Sequence, residues 1–373
     1  MCLTRRHVSH ARSLAIVALW CLPTAIAGAM QQPSTARGEN LYRAACLACH
    51  GADGKGAPAS LVGSAMRLPD FTDCRFATSE PDVDWLATIH RGGSARGLDR
   101  AMPAFDAALP DDDIQALVRY LRRFCTNPKW PHGDLNLPRA LVTEKAFPEN
   151  EVLVTTAVPT QYADRVETRI VYEQRIGSRS QYEVVAPYIA VQALDGWNRG
   201  LGDVSVAFKQ VVFANARTGS IVSANAEATF PTGRTTELLG GRIAVFEPFA
   251  SFSQTLPAGA FVHAQVGVEH PWNIPAAADD VYWRVAAGGT FASGRWGRAW
   301  SPIVEMLAHH ELAFGEPVFW DVLPELHVTL SRRQHVMANG GVRMPINLRP
   351  RTATAMVSLQ WEWNQDGLFS GWR

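Results

Sequence analysis

No charge of one sign dominates this chain: 35 Lys and Arg stand against 35 Asp and Glu in 373 residues. That balance excludes the basic field that draws a protein onto nucleic acid, and equally the acidic excess of a disordered tail. There is also no apolar stretch that reads as a permanent transmembrane helix; the run from Ser13 to Leu22 falls short of the roughly 20 residues a bilayer requires. Cysteine is scarce, six in all, and Cys2 and Cys21 lie in the leader. Four remain.

The leader, residues 1–29, reads as a secretory signal. Arg5, Arg6 and Arg12 precede the apolar run, and Ala25-Ile26-Ala27 supplies small residues for cleavage. Bulky Trp20 ahead of Cys21 argues against lipidation. The destination is outside the cytoplasm.

Two of the four remaining cysteines sit in Cys46-Leu47-Ala48-Cys49-His50, a CxxCH. Two thiols spaced this way add to the vinyl groups of one haem, and the following imidazole becomes the proximal iron ligand. For the sixth position the candidate is Met102, in Ala101-Met102-Pro103-Ala104-Phe105; its rival Met66 lacks the following proline. A thioether there favours ferrous iron and closes the metal to substrate, which describes an electron carrier and not a turnover enzyme. A peroxidase is disfavoured for the same reason. Cys74 and Cys125 are left over, and in an exported chain they point to one disulfide.

Gly38-Glu39-Asn40-Leu41-Tyr42 before the CxxCH, His50-Gly51-Ala52-Asp53-Gly54-Lys55-Gly56 after it, the Met-Pro, and the segment from Asp111 to Phe124 together resemble a class I monohaem cytochrome c. The resemblance covers roughly residues 36–125. It implies an all-α domain, placed here at 30–127, with one covalently attached haem c held by Cys46, Cys49, His50 and Met102. Ser79 is a candidate cap for a helix from Pro81 to Arg91, and Gly92, Gly93 and Gly97 predict a loop around Met102. Asp111, Asp112 and Asp113 open the clearest helix, with Ile114, Leu117, Val118 and Leu121 on one face.

From 128 to 160 Pro128, Pro131, Pro138 and Pro148 interrupt any periodicity, so this stretch reads as a connector, rich enough in specific side chains to rest on one of the domains. Beyond it, from 161 to 373, the period changes to two. Val262, Ala264, Val266 and Val268 alternate with His263, Gln265, Gly267 and Glu269, and similar patterns recur at 166–173, 222–229 and 355–363. About ten to twelve segments of roughly ten residues match an antiparallel β-barrel of the outer-membrane type. Trp272, Trp283, Trp296, Trp300, Trp320, Trp361 and Trp363 lie near segment ends, where interfacial girdles form. The ending Gly371-Trp372-Arg373 departs from the usual aromatic terminus of such barrels. A soluble sandwich or barrel alternates too, with its apolar side inward.

Gly200-Leu201-Gly202-Asp203-Val204 and Phe230-Pro231-Thr232-Gly233 make this half similar to outer-membrane transporters of the phenol-degradation (MetA-pathway) type. The joined arrangement resembles fused cytochrome–porin proteins, ferrous-iron oxidases among them, an architectural likeness that carries no donor identity. It implies a haem electron carrier exported to the outer membrane, the haem domain on the periplasmic side capping one barrel mouth. Its partners would be a periplasmic or extracellular redox protein and membrane lipid, with no nucleic acid. The alternative is a periplasmic cytochrome c whose β-domain serves docking or transport. Lumen candidates are Glu167, Arg169, Glu173, Arg175, His263 and Glu269. His309, His310 and His327 read as strand decoration, since neighbours on a strand face opposite ways.

Overall fold

The structure, a computed structural model, describes residues 35–63, 68–162, 164–273, 277–348 and 351–363. The signal at 1–29, the rival Met66 and the terminal 371–373 lie outside these residues. An α-helical domain comes first, with α1 (Thr35–Ala45), α2 (Leu47–His50), α3 (Ala59–Val62), α4 (Cys74–Ser79), α5 (Asp82–Ala95) and α6 (Asp111–Leu121). The amphipathic face of α6 buries Ile114, Leu117, Val118 and Leu121, as its period predicts. Helix α1 crosses it so closely that a Cβ on Gly38 would stand 2.2 Å from the Ala116 carbonyl oxygen. Only glycine permits that crossing. Cys74 and Cys125 are joined by a disulfide, tying the start of α4 to the chain after α6.

Two local expectations change. Ser79 does not cap α5, whose N-cap position is Pro81; its hydroxyl donates back to the Arg75 and Phe76 carbonyls in the last turn of α4. The segment of Gly92 and Gly93 belongs to α5, which is broken at Gly92 by a φ of 75°. Glycine absorbs the break and the helix resumes to Ala95.

The second body is a closed antiparallel barrel. Its strands are β1 (Glu151–Pro159), β2 (Arg165–Ile176), β3 (Ser180–Ala193), β5 (Val204–Asn215), β6 (Ser220–Phe230), β7 (Val245–Thr255), β8 (Ala260–Pro271), β9 (Asp280–Gly289), β11 (Arg298–Glu311), β12 (Phe319–Thr329), β13 (Val336–Pro345) and β14 (Thr354–Glu362). Each pairs with its sequence neighbours, and β14 closes the barrel on β1 from Glu151↔Glu362 to Pro159↔Thr354. Twelve strands form the wall. Two short strands overhang it: β4 (Gly196–Leu201) on β3 and β10 (Phe291–Ser293) on β11.

The wall is polar inside and apolar outside. Glu151, Glu173, Ser223, Ser251, Ser253, His263, Ser301 and Glu305 are fully buried, whereas their outward neighbours Val184, Val206, Phe208, Val266, Val304, Leu326, Val357 and Leu359 are exposed. A soluble barrel needs the reverse, so the alternation here is that of a wall facing hydrocarbon. Among the described residues no helix is long and apolar enough to cross a membrane, so any crossing is made by strands. Of the seven tryptophans, Trp300 and Trp361 lie at outward positions at the end bearing β1's start, and Trp283 and Trp320 at the other, 5.6 Å apart. Trp363 departs from the girdle: it is buried, its ring 5.5 Å from that of Tyr172. Trp272 and Trp296 sit in loops.

The stretch read as a connector holds two things that sequence periodicity concealed. Its last residues, from Glu151, are already the first strand, and residues 135–149 run through the lumen. Leu135, Phe147 and Ala146 pack on Val211 and Ile221 of the wall, and Leu137 and Ala140 on Phe261 and Ile303. Irregular backbone is tolerable inside a barrel only where side chains satisfy it. Here the wall does so.

Candidate haem site and barrel lumen

The haem candidates gather on one turn of helix. Cys46 caps α2, Cys49 lies within it and His50 ends it, so both thiols and the imidazole occupy positions i, i+3 and i+4. Gly51 follows at a φ of 75°, turning the chain away, and the Tyr42 hydroxyl fixes that turn by donating to the Gly51 carbonyl at 2.6 Å. Burial pushes the Cys46 thiol up to about 11, with Cys49 adding a smaller upward push. Burial also holds the His50 imidazole below its ordinary value, in the neutral form that ligates metals.

Met102 packs against the same core. The loop carrying it lies on bare backbone: Gly93 N–H donates to the Met102 carbonyl at 3.0 Å, and a Cβ on Gly93 would meet the Asp99 carbonyl oxygen at 2.0 Å. Met102 packs on the cluster of Phe71, Trp85 and Ile89, and the His50 ring is 5.1 Å from Phe71. Both axial candidates thus border one aromatic core.

These residues fit a c-type haem. Cys46 and Cys49 are free thiols, while the other two described cysteines are cross-linked. The Nδ1 of His50 is buried with no hydrogen-bond partner. The family model for subunit III of cbb3-type cytochrome c oxidase matches residues 33–121. That stretch is a c-type cytochrome domain.

The cytochrome domain stands on the barrel mouth where β1 begins and β14 ends. Arg96 donates to the Trp296 carbonyl at 3.3 Å, Arg333 to Gly97 at 2.9 Å, and Asn136 to Ser79 at 3.0 Å. His335 pairs with Glu80 at 3.1 Å. Beneath this contact Arg96 and Asp84 are paired at 2.7 Å, both buried, and burial pushes the Asp84 carboxyl up to about 6 despite that partner.

The lumen residues split three ways. Glu173 is ion-paired to Arg139 at 2.6 Å, and His263 is held between the Ser253 hydroxyl at 2.8 Å and the Pro138 carbonyl at 2.9 Å. Arg175 lies between the rings of Trp130 and Phe147, at 4.6 and 5.3 Å, under the cytochrome domain. Glu167 and Arg169 line a cavity of about 270 Å³ near the far mouth, with Ser205 and Glu227. Glu269 lies at the far end of β8, opposite Asp280. Of the histidines, His309 pairs with Asp280 at 3.0 Å, His310 occupies the opposite face, and His327 is buried on the inner wall.

The residues that sequence reading missed are those that bind residues 135–149. Glu305 accepts from the Val142 N–H at 3.0 Å and the Thr143 N–H at 2.6 Å, Glu325 from Leu141 at 3.0 Å, Gln265 from Glu144 at 3.1 Å, and Ser253 from Ala146 at 3.0 Å. Lys209 pairs with Glu144 at 3.1 Å and Lys145 with Glu149 at 2.7 Å. The available signal was the density of Glu and Gln at inward positions.

No curated protein matches this sequence. Among solved structures, an outer-membrane channel from Pseudomonas putida F1 aligns at 10% identity and a TM-score of 0.41, covering 61% of this chain and 100% of its own. The KdgM porin aligns at 7% and 0.40, covering 57% and 99%, and the NanC porin at 6% and 0.40, covering 57% and 100%. The reading of the barrel rests on its own closure and its inverted polarity.

Proposed function

We propose that this protein is a haem electron carrier held at the outer membrane by its fused barrel, with residues 1–29 an export signal and 30–127 the haem domain. The observation that carries the reading is a free CxxCH turn mounted on the mouth of a barrel whose outer face is apolar. One haem c, when bound, supplies a one-electron Fe(II)/Fe(III) couple. Cys46 and Cys49 would anchor it covalently, and His50 and Met102 would hold its iron, a pairing that suits electron transfer over substrate turnover. Phe71 and Trp85 keep water from the His50 side of the core. The cytochrome domain lies on the mouth that holds both barrel ends, which in barrels of this kind faces the periplasm. A redox partner in the periplasm or outside the cell then exchanges electrons with it.

The test is fractionation. Inner and outer membranes of the native host are separated and haem-stained protein is followed with and without boiling before electrophoresis. We expect a haem band in the outer-membrane fraction that shifts on boiling; a soluble band without a shift overturns the reading.

A transport role is disfavoured by residues 135–149, which fill the lumen and are bonded to its wall. In planar bilayers the protein should show no steady conductance. Solute-dependent conductance would restore the transport reading.

A further inference from the structure

The outer wall nearest the cytochrome domain carries an ordered series of side chains that electron transfer leaves unused. Outward positions on β11 run from Val304 through Pro302 and Trp300 to Arg298, and Trp300 stands opposite Val328 of β12, with exposed Leu330 beyond. Apolar gives way to aromatic and then to cationic. Arg298 lies two residues past Trp300, about 7 Å along the strand. That is the depth at which lipid head groups succeed the aromatic belt.

Further arginines collect around this point from three elements. The guanidinium groups of Arg298 and Arg332 lie 5.5 and 5.1 Å from the centre of the Trp296 ring. Arg295, in the turn between β10 and β11, is exposed, as is Arg332 in the turn between β12 and β13. Arg91 of α5 is also exposed, and its Cγ would lie 3.9 Å from a Cβ placed on Gly297 in the first of these turns. Arg96, Arg122 and Arg139 meet carboxylates, whereas none of these four has an ion-pair partner among the described residues. Guanidinium groups clustered without a counter-ion form a phosphate site, because their fork of donors matches phosphate oxygens.

We propose that Arg298 and Arg332, whose guanidinium groups flank Trp296, with exposed Arg91 and Arg295 on the adjoining helix and turn, bind the phosphate head group of an anionic phospholipid in the leaflet on the cytochrome side. The inference rests on the membrane reading of the barrel. Continuity with the apolar band selects lipid over an acidic protein, since the same face carries Val304, Leu326 and Leu330. Because the arginines come from both α5 and the barrel turns, a bound lipid would bridge the cytochrome domain to the barrel.

The test reconstitutes haem-loaded protein into phosphatidylcholine vesicles holding a trace of spin-labelled phosphatidylglycerol or spin-labelled phosphatidylcholine, and measures the motionally restricted fraction of each. Wild type should prefer the anionic lipid several-fold. In R298Q/R332Q that preference should fall to near parity between the two lipids, while R298K/R332K keeps most of it. R217Q, in the turn between β5 and β6 at the same mouth, should leave it unchanged. Haem absorption and the boiling shift must match wild type in every variant. Should a variant fail to fold, the wild-type preference must itself weaken with added salt. Equal selectivity in R298Q/R332Q and wild type, or a preference insensitive to salt, overturns the lipid site and leaves the arginines as a face for an acidic protein. Failure to enter neutral vesicles removes the membrane reading, and the lipid site with it.

Discussion

The guanidinium of Arg139, on the segment that fills the lumen, holds the Glu173 carboxylate of the barrel wall at 2.6 Å. Glu144 is paired to the same guanidinium at 3.0 Å, Glu151 shares it, and both wall carboxylates are fully buried. One cation therefore compensates charges from the segment and from two strands. Arg139→Met would leave Glu151 and Glu173 buried without it, at a cost of about 3–5 kcal/mol. The temperature at which the barrel loses its compact electrophoretic form should drop clearly. A midpoint equal to wild type would mean that the segment is not held by this pair.

Met102→Ala removes the proposed thioether ligand while leaving the Gly92–Gly93 backbone that seats its loop. The oxidised spectrum should lose a methionine-to-iron charge-transfer band, and the reduction potential should fall because a thioether favours ferrous iron. If the wild type has no such band, Met102 is not the ligand.

The disulfide between Cys74 and Cys125 closes a loop of 51 residues in sequence separation. By loop entropy, its removal as C74S/C125S should cost the cytochrome domain about 4 kcal/mol. Denaturant unfolding followed by haem absorbance would report a lower midpoint in the double variant. Coincident curves for variant and wild type would show that the cross-link adds nothing to this domain.

Asp84 gives a pH dependence whose sign can be worked out. Burial raises its folded value to about 6 from an ordinary 3.8, so the folded chain holds this proton more tightly than the unfolded chain. Its contribution to stability is present in full below about pH 4 and is lost as pH rises through about 6. Asp84→Asn should flatten that part of the unfolding profile of the cytochrome domain. Retention of the wild-type slope between those limits would assign the dependence to other groups.

Much of this was legible without coordinates. The Cys46-to-His50 run and the α6 stripe of Ile114, Leu117, Val118 and Leu121 are local patterns, readable because covalent chemistry and helical period act over a few residues. Period two from Val262 to Glu269 likewise announced a strand. Val152, Leu153, Val154, Thr155 and Thr156 offered the same signal for β1, but prolines nearby masked it. Ser79 was misjudged because its hydroxyl bonds back to carbonyls of the helix it ends, the i−4 and i−3 pattern open to any Ser in a last helical turn.

Taken alone, the sequence determined the order of the two domains, the residues able to hold haem, and a chain of alternating strands, since each is written in neighbours close along the chain. Which side of those strands faces inward, that 135–149 fill the lumen, and that Arg332 of a distant turn meets Arg298 around Trp296 were decided only by closure of the barrel. Closure brings β14 against β1 and sets polar faces against one segment. No local pattern encodes that, because the bonds from the segment to the wall at Glu305, Glu325, Gln265 and Ser253 join residues more than 100 apart in sequence.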